Sequence, residues 1–555
     1  MAQGYICLFL HAHLPFVRHP ENEYHLEERW LFEAITETYL PLLGIFERCE
    51  ADALPFRITM SLTPPLVSML RDKLLCKRYI RHLDNLIELS EKELRRTRRL
   101  PEYRNLSRMY NRIFLESKEK FVKTYKKDIV SAFAHFQEKG NVEIVASCAT
   151  HGFLPNLSIN PSSVKAQIEI GIEHYKKNFN KAPSGFWLPE CGYFRGVDTI
   201  LRDAGINYFF LDSHGIVNAE PRPRYSVYAP IYCSSGVAAF GRDWESSKQV
   251  WSASEGYPGD PDYREYYRDI GHELDFDYIK PHIHPDGIRI NTGIKYWRIT
   301  GKTEDKLPYI PDNAVRKAEA HAEDFLSNRK KQIERLYGLM DKPPIIVSPY
   351  DAELFGHWWY EGPKWLEFLM RKIAADDELV LCTPSEYLLK NPVNQRSDPP
   401  LSSWGYKGYS EYWLDSSNDW LYSHLYTAGK RMADLAVEFR KSIEPGAPDS
   451  LVKEFLNQAA RELLLAESSD WPFILKTGTM APYADKRIKN HIGRFTKIYE
   501  DLKNNNMDNN WLDEVMNRDS IFYDIDCAEF YLPEKITSTQ VKEFSVKTGR
   551  KTRKQ

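Results

Sequence analysis

The 555-residue chain is short of the features that mark several large classes of protein. Cysteine is scarce: eight residues, at 7, 49, 76, 148, 191, 233, 382 and 527, with no CxxC pair and no regular spacing. Such scatter excludes a zinc ribbon or a disulfide framework and suits reduced thiols in a cytoplasm. Long hydrophobic runs are missing: none approaches the roughly 18–20 residues of a membrane span, and mean hydropathy is −0.52. A surplus of one charge is missing too, since 75 Lys and Arg against 78 Asp and Glu leave a net charge of −3. That balance argues against an electrostatic nucleic-acid partner. No basic segment precedes the short apolar run at the N-terminus, so no signal peptide is expected. Aromatic residues, by contrast, are abundant: 13 Trp, 33 Tyr and 27 Phe make up 13% of the chain. They are either packing or stacking surfaces for flat ligands such as sugars and bases.

Seven short apolar segments recur, at 5–10, 56–61, 142–147, 185–188, 208–211, 345–348 and 379–382. Most are continuous rather than alternating, which suits strands buried on both faces of a parallel sheet. Between several lie helical patterns; one opens at Pro161 and carries Val164, Ile168, Ile172, Tyr175 and Phe179 at helical spacing. Strands alternating with helices predict an α/β, barrel-like body over residues 1–390. Two interruptions are expected in it: a charged helical insertion at about 72–140, and a long aromatic loop region at about 213–343. Loops of that length in a compact enzyme are usually functional. Residues 391–403 read as a linker, 404–535 as a helical C-terminal domain with helices near 420–443, 449–467 and 484–503, and 536–555 as a basic, flexible, solvated tail.

The chemistry-bearing residues follow the strands. His11-Ala-His13-Leu-Pro, Ala-Thr-His151-Gly, Trp187-Leu-Pro-Glu190-Cys-Gly-Tyr and Tyr-Asp351-Ala-Glu353-Leu-Phe-Gly-His357-Trp358-Trp359 each begin at a strand end. In a parallel barrel those positions converge on the C-terminal rim, where active sites are built. Carboxylates on strand ends with tryptophans beside them suit glycoside chemistry, one attacking the anomeric carbon and the other protonating the leaving oxygen. The imidazoles would hydrogen-bond sugar hydroxyls and hold the nucleophile ionised, and Trp187, Trp358 and Trp359 would face pyranose rings. The competing reading is a metal site, with His11 and His13 on one strand face joined by His151 and Asp351 to hold zinc, as in a deacetylase or a metal-dependent mannosidase. No HExxH or clustered Asp–His motif accompanies them. The packing alternative makes these residues helix caps and surface turns.

These segments, together with Gln249-Val-Trp-Ser, Gly256-Tyr-Pro-Gly-Asp260 and Ser468-Ser-Asp-Trp-Pro-Phe473, resemble the motifs of glycoside hydrolase family 57, most closely its 1,4-α-glucan branching enzymes. The resemblance covers nearly the whole chain. It implies an incomplete TIM-type (β/α)7 barrel with a helical insertion and an all-helical C-terminal domain that completes a glucan-binding cleft. It also implies a retaining mechanism with no metal or other cofactor, Glu190 as nucleophile and Asp351 as general acid/base. Glu353 belongs to the same motif but is not the family's acid. Trp404, Asp470, Arg264 and Gly293 would contact the glucan. Thr479 stands where the family commonly has a Gln. The implied partner is an α-1,4-glucan as both donor and acceptor, with no nucleic acid or membrane involved, and the chain is expected to be a monomer or weak homo-oligomer. A lid is expected from Trp244, Trp251, Tyr257, Tyr263, Tyr266 and Tyr267, with Trp404 and Trp413 closing the other side. An α-amylase, a 4-α-glucanotransferase and a catalytically silent glucan-binding protein are the alternatives.

Overall fold

The computed structural model describes residues 3–252, 255–301, 303–443 and 450–532, so the tail expected at 536–555 lies outside the described residues. Its strands are β1 (Gly4–Ala12), β2 (Ile58–Leu62), β3 (Val142–Ser147), β4 (Gly185–Trp187), β5 (Tyr208–Leu211), β6 (Ile231–Tyr232), β7 (Ala238–Gly241), β8 (Ile345–Asp351) and β9 (Leu379–Leu381). They form one sheet in the order β6-β7-β5-β4-β3-β2-β1-β8, parallel except for β6 against β7. The sheet curls on itself. Where β7 ends, Arg242 bridges Val347 of β8 and the Asp243 N–H donates to the Val347 carbonyl at 2.8 Å. The result is the seven-stranded α/β barrel that the sequence leads one to expect.

Continuous apolar strands divide their side chains between two cores. On β1, Ile6, Leu8 and Leu10 join the layer under the helices, whereas Cys7 and Phe9 point into the lumen with Val145, Trp187, Phe210, Phe240 and Val347. Because the strand period is two, the lumen-facing register of β1 continues into His11 and His13, that of β5 into Asp212, that of β7 into Arg242, and that of β8 into Asp351. The barrel core thus ends at its C-terminal rim in a layer of titratable groups.

The structure departs from the sequence reading in three places. The seventh barrel strand is β7, not 379–382; β9 instead pairs with the base of β1, from Gly4↔Leu379 to Ile6↔Leu381. The signal of β7 is weak because Ala-Ala-Phe-Gly is small where space is lacking: a Cβ on Gly241 would lie 2.8 Å from Ile216 and 2.9 Å from Val227. Second, the region 213–343 holds the 27-residue helix Pro311–Tyr337. Its buried face is built on Ala314, Ala318 and Ala322 and includes Arg329 and Gln332, so small and polar residues blunt its apolar stripe. Third, 391–403 is no free linker. It is bonded along the barrel, with Tyr232 N–H donating to the Gln395 carbonyl at 2.8 Å, Ser397 N–H to Tyr232 at 2.9 Å, and Tyr193 N–H to Ser402 at 2.8 Å.

Beyond residue 404, the helices Trp420–Glu438, Leu451–Ala466, Asp470–Thr477 and Ala481–Asn504 pack together and against the barrel. The Thr150 hydroxyl donates to the Leu464 carbonyl, and Gln167 Nε2 donates to Glu467 at 2.9 Å. The insertion consists of helices Lys73–Arg96, Pro101–Glu119 and Ile129–Glu138 between β2 and β3. Among the described residues no helix is long and apolar enough to cross a membrane.

Candidate active site

Of the residues singled out from the sequence, His11, His13, His151, Glu190, Asp351, Trp358, Trp404 and Asp470 surround one cleft of about 710 Å³ at the C-terminal rim. Glu190 is one of the carboxylates that line it. Its backbone is left-handed (φ 61°), as are those of Cys191 (φ 51°) and His151 (φ 60°), conformations that cost a non-glycine residue on the order of 1 kcal/mol each and cluster at functional sites. The turn is held by its partners. Trp404 N–H donates to the Glu190 carbonyl at 2.8 Å, Trp404 Nε1–H donates to Oε2 at 2.6 Å, and the Ser469 hydroxyl donates to Oε1 at 3.1 Å. Burial pushes the Glu190 carboxyl up to about 7; the Trp404 bond pulls it down, and the nearby Asp351 and Asp470 charges push it up.

Asp351 continues β8 and pairs in register with His11 of β1. Burial pushes its carboxyl up to about 6, against the pull of His13 and Arg242. Burial thus raises both carboxyls of the cleft into the range in which proton transfer near neutral pH operates. Glu353, also on the cleft, is raised to about 7 by burial and accepts from the Tyr39 hydroxyl. His13 bonds Thr63 Oγ1 at 2.9 Å through Nδ1 and Asp470 at 3.0 Å through Nε2. Burial alone would lower its pKa, but the Asp470 charge outweighs that and raises it. Asp470, pushed up by burial, is brought below its ordinary value by His13.

The packing shows what each expected sugar contact touches within the fold. His11 spends Nδ1 on Ser61 Oγ and Nε2 on His151 Nε2, and His151 spends Nδ1 on Ser469 Oγ. His13 is likewise bonded through both ring nitrogens, so all three imidazoles on the cleft are held by protein partners. Trp187 is fully buried in the lumen, its ring 4.8 Å from His11 and 5.1 Å from Trp404, so it supports the site from below. Trp359 is buried as well, whereas Trp358 is 54% exposed and stacks on Tyr266 at 4.5 Å. His357 sits behind it, bonded to Glu37 at 2.6 Å. Arg264 and Gly293 line a separate cavity of about 400 Å³, where Arg264 lies 4.0 Å over the Tyr360 ring. Thr479 stands in the exposed turn between the helices Asp470–Thr477 and Ala481–Asn504, away from the cleft lining. Of the expected lid, Trp244 and Trp251 line the cleft, while Tyr257 and Tyr263 pack in the interior.

Other cleft residues were not anticipated. Arg242 was hidden with its strand β7. Asp212, directly after β5, obeys the same strand-end rule as Asp351 and was legible by it. Tyr406, Tyr412 and Phe473 form an aromatic wall from the C-terminal side. The set His13, His151 and Asp470 brings three donor atoms within 4.8 Å of one another, a spacing that admits a metal ion. Their atoms are already bonded to protein partners, and Asp351 is not in that set, so the geometry is that of a closed hydrogen-bond cluster.

Comparison with known proteins agrees with this geometry. The model of glycosyl hydrolase family 57 matches residues 7–398, and that of the C-terminal region of 1,4-alpha-glucan branching enzymes matches residues 424–530. A curated 1,4-alpha-glucan branching enzyme of Thermococcus kodakarensis is 31% identical, over 94% of this chain and 77% of its own. The crystal structure of a family 57 branching enzyme from Pyrococcus horikoshii is 30% identical, with TM-score 0.85 over 97% of this chain and 98% of the other. That of an α-amylase from Thermotoga maritima is 45% identical, with TM-score 0.89 over 96% of this chain and 100% of the other. With the family model spanning residues 7–398, the chain belongs to glycoside hydrolase family 57.

Proposed function

We propose that the chain is a retaining 1,4-α-glucan branching enzyme acting in glycogen synthesis, with Glu190 as nucleophile and Asp351 as general acid/base. The observation that carries this reading is the Glu190 carboxylate, fixed by Trp404 and Ser469 across the cleft from a second raised carboxyl. In the first step Glu190 attacks C1 of an internal α-1,4 linkage while Asp351 protonates the departing O4, leaving a β-glycosyl ester. Asp351, now a carboxylate, takes the proton of a glucose 6-OH as that oxygen displaces Glu190. Two inversions give an α-1,6 branch. The same reading takes residues 1–390 as the catalytic barrel and 404–535 as the part that completes the glucan cleft, since Trp404 and Ser469 both lie beyond residue 403. It places the enzyme in a reducing cytoplasm, in keeping with eight buried, unpaired cysteines.

A second reading has a specific support: the 45% identity to a protein described as an α-amylase. Its first step is identical, and water replaces the 6-OH as acceptor. Incubation with amylose followed by isoamylase separates the two. Branching releases new short chains with little rise in reducing ends beforehand; hydrolysis raises reducing ends in proportion to cleavage and leaves isoamylase nothing to release. Glu190→Gln is expected to lower turnover by at least about 10³-fold with the fold intact, and retained turnover would remove the nucleophile assignment.

A further inference from the structure

We propose that Ser61, His11, His151 and Ser469 form a directional hydrogen-bond wire that orients Glu190 from behind, which makes all four positioning residues for the nucleophile. The inference rests on reading Glu190 as that nucleophile. The links are continuous: Ser61 Oγ to His11 Nδ1 at 2.5 Å, His11 Nε2 to His151 Nε2 at 3.0 Å, His151 Nδ1 to Ser469 Oγ at 2.8 Å, and Ser469 Oγ to Glu190 Oε1 at 3.1 Å.

Its polarity follows from the chemistry of the groups. An ionised carboxylate only accepts, so the Ser469 hydroxyl donates to Oε1 and its oxygen must accept from His151 Nδ1–H. A neutral imidazole carries one N–H, so His151 Nε2 accepts and His11 Nε2–H donates. His11 Nδ1 then accepts from the Ser61 hydroxyl. The two facing Nε2 atoms cannot both carry a hydrogen across 3.0 Å, so the rings are never both protonated. Burial, with His13 beside them, holds both pKa values well below the ordinary 6.5. Every member therefore donates toward Glu190.

The opposite polarity needs a proton on Glu190 Oε1, and then all four donors reverse together. Oε2 accepts from Trp404 Nε1–H at 2.6 Å, a bond that likewise favours the charged carboxylate. The wire thus opposes the burial that on its own would drive the carboxyl to its acid form. Four separate segments supply it. Ser61 of β2 is the ladder partner of His11 on β1, His151 follows β3, and Ser469 precedes the helix Asp470–Thr477. Ser469 N–H also donates to the His151 carbonyl at 3.0 Å, clamping the last link through the backbone. Around it, Asp351 and Glu353 reach the cleft from β8, Arg242 and Asp212 from β7 and β5, and Asp470 from the helical part. His13 stacks on His151, with ring centroids 3.8 Å apart. Those charges set the field at Glu190; the wire sets which atoms may hold a proton.

Ser61 is fully buried and does not line the cleft, so it acts on the rate only through His11. The test is the pH profile of kcat/KM on amylose for full-length Ser469→Ala and Ser61→Ala, with folding followed by circular dichroism. Loss of a donor to the charged form raises a carboxyl's pKa. The acidic limb is therefore expected to move to higher pH by about one unit in Ser469→Ala and about half a unit in Ser61→Ala, with KM of the latter within about twofold. Ser61→Thr, which keeps the hydroxyl, should return the limb to its wild-type position. A limb unmoved in Ser61→Ala overturns the wire even if kcat falls, and it decides alone if Ser469→Ala does not fold. An active Glu190→Gln would instead show the nucleophile reading to be at fault.

Discussion

Trp404 joins two functions that are normally separate, since its ring lines the cleft while its N–H holds Glu190 Oε2 at 2.6 Å. Trp404→Phe keeps a ring against Trp187 and removes only the donor. A charge-assisted hydrogen bond at a developing ester is worth roughly 1.5–3 kcal/mol, so kcat should fall about 10- to 100-fold with KM little changed. Steady-state kinetics check this; a rise in KM at unchanged kcat would make Trp404 a sugar platform and nothing more. At this scale the sequence placed the titratable groups at the site but not their bonds. His11, His13 and His151 could be located because they follow strands. That they bond Ser61, Thr63, Asp470 and Ser469 could not be read, because those partners lie 50 to 457 positions away and a buried serine has no pattern of its own. Trp187 was misread for a related reason: a tryptophan beside a catalytic motif looks the same in sequence whether it floors the site or faces the substrate.

Between elements, the approach of the helix Pro161–Phe179 to the barrel decides where His151 stands. A Cβ at Gly171 would lie 2.0 Å from the Ser147 carbonyl oxygen and 3.1 Å from Ala149 N, both in the segment that carries β3 into His151. Gly171→Ala must push that segment or the helix away, at a cost of about 1–3 kcal/mol, and the displacement reaches the site. Lower thermal stability together with reduced kcat is the expected result, measured by calorimetry and kinetics on the same sample. Wild-type values for both would show that the helix and strand can part freely. The same close packing explains which elements were legible. Strands made of large apolar residues, such as β1, β3 and β5, are visible as runs. β7 offers one large apolar side chain, Phe240, among small residues, with no room for a side chain at Gly241, and the helix Pro311–Tyr337 buries alanines and the paired Arg329, so neither shows the expected periodicity. Residues 391–403 look like a linker in composition because their ties to the barrel run through the backbone, which composition does not encode.

Over the whole molecule, buried titratable groups of two kinds shape one stability curve. Burial pushes His82, His174 and His491 down to about 3 and His19 to about 4, and it holds His11 and His151 well below 6.5. Burial also pushes Glu190, Glu353 and Glu467 up to about 7, and Asp351 and Asp519 to about 6. The unfolded chain takes up protons on histidine below 6.5 that the fold refuses, so the first set removes stability as pH falls. The fold keeps carboxyl protons that the unfolded chain has released above about 4.5, so the second set removes stability as pH rises through about 6 to about 7. Between about 4.5 and 6.5 the two effects oppose and largely cancel. Below that window the raised carboxyls no longer differ from the unfolded chain, and the histidines act together with Glu21 and Glu367, held down to about 2, and the lowered Asp470, all of which lose stability as pH falls. Above it the lowered histidines are silent, the carboxyls lose their last protons, and the raised His13 and His357 give up theirs, which also removes stability. The unfolding temperature of the free enzyme should therefore be nearly flat from about pH 5 to 6.5, drop steeply below about 4.5, and decline gently toward pH 8. Glu467→Gln removes one raised carboxyl while leaving an acceptor for Gln167, whose Nε2 lies 2.9 Å from Glu467, and should raise the midpoint increasingly from about pH 4.5 to about 7, so that the upper decline is weakened. A calorimetric series in which the midpoint climbs steadily from pH 6.5 to 9 would show that these carboxyls are ionised in the fold without cost, and that the cleft is wetter than its geometry implies.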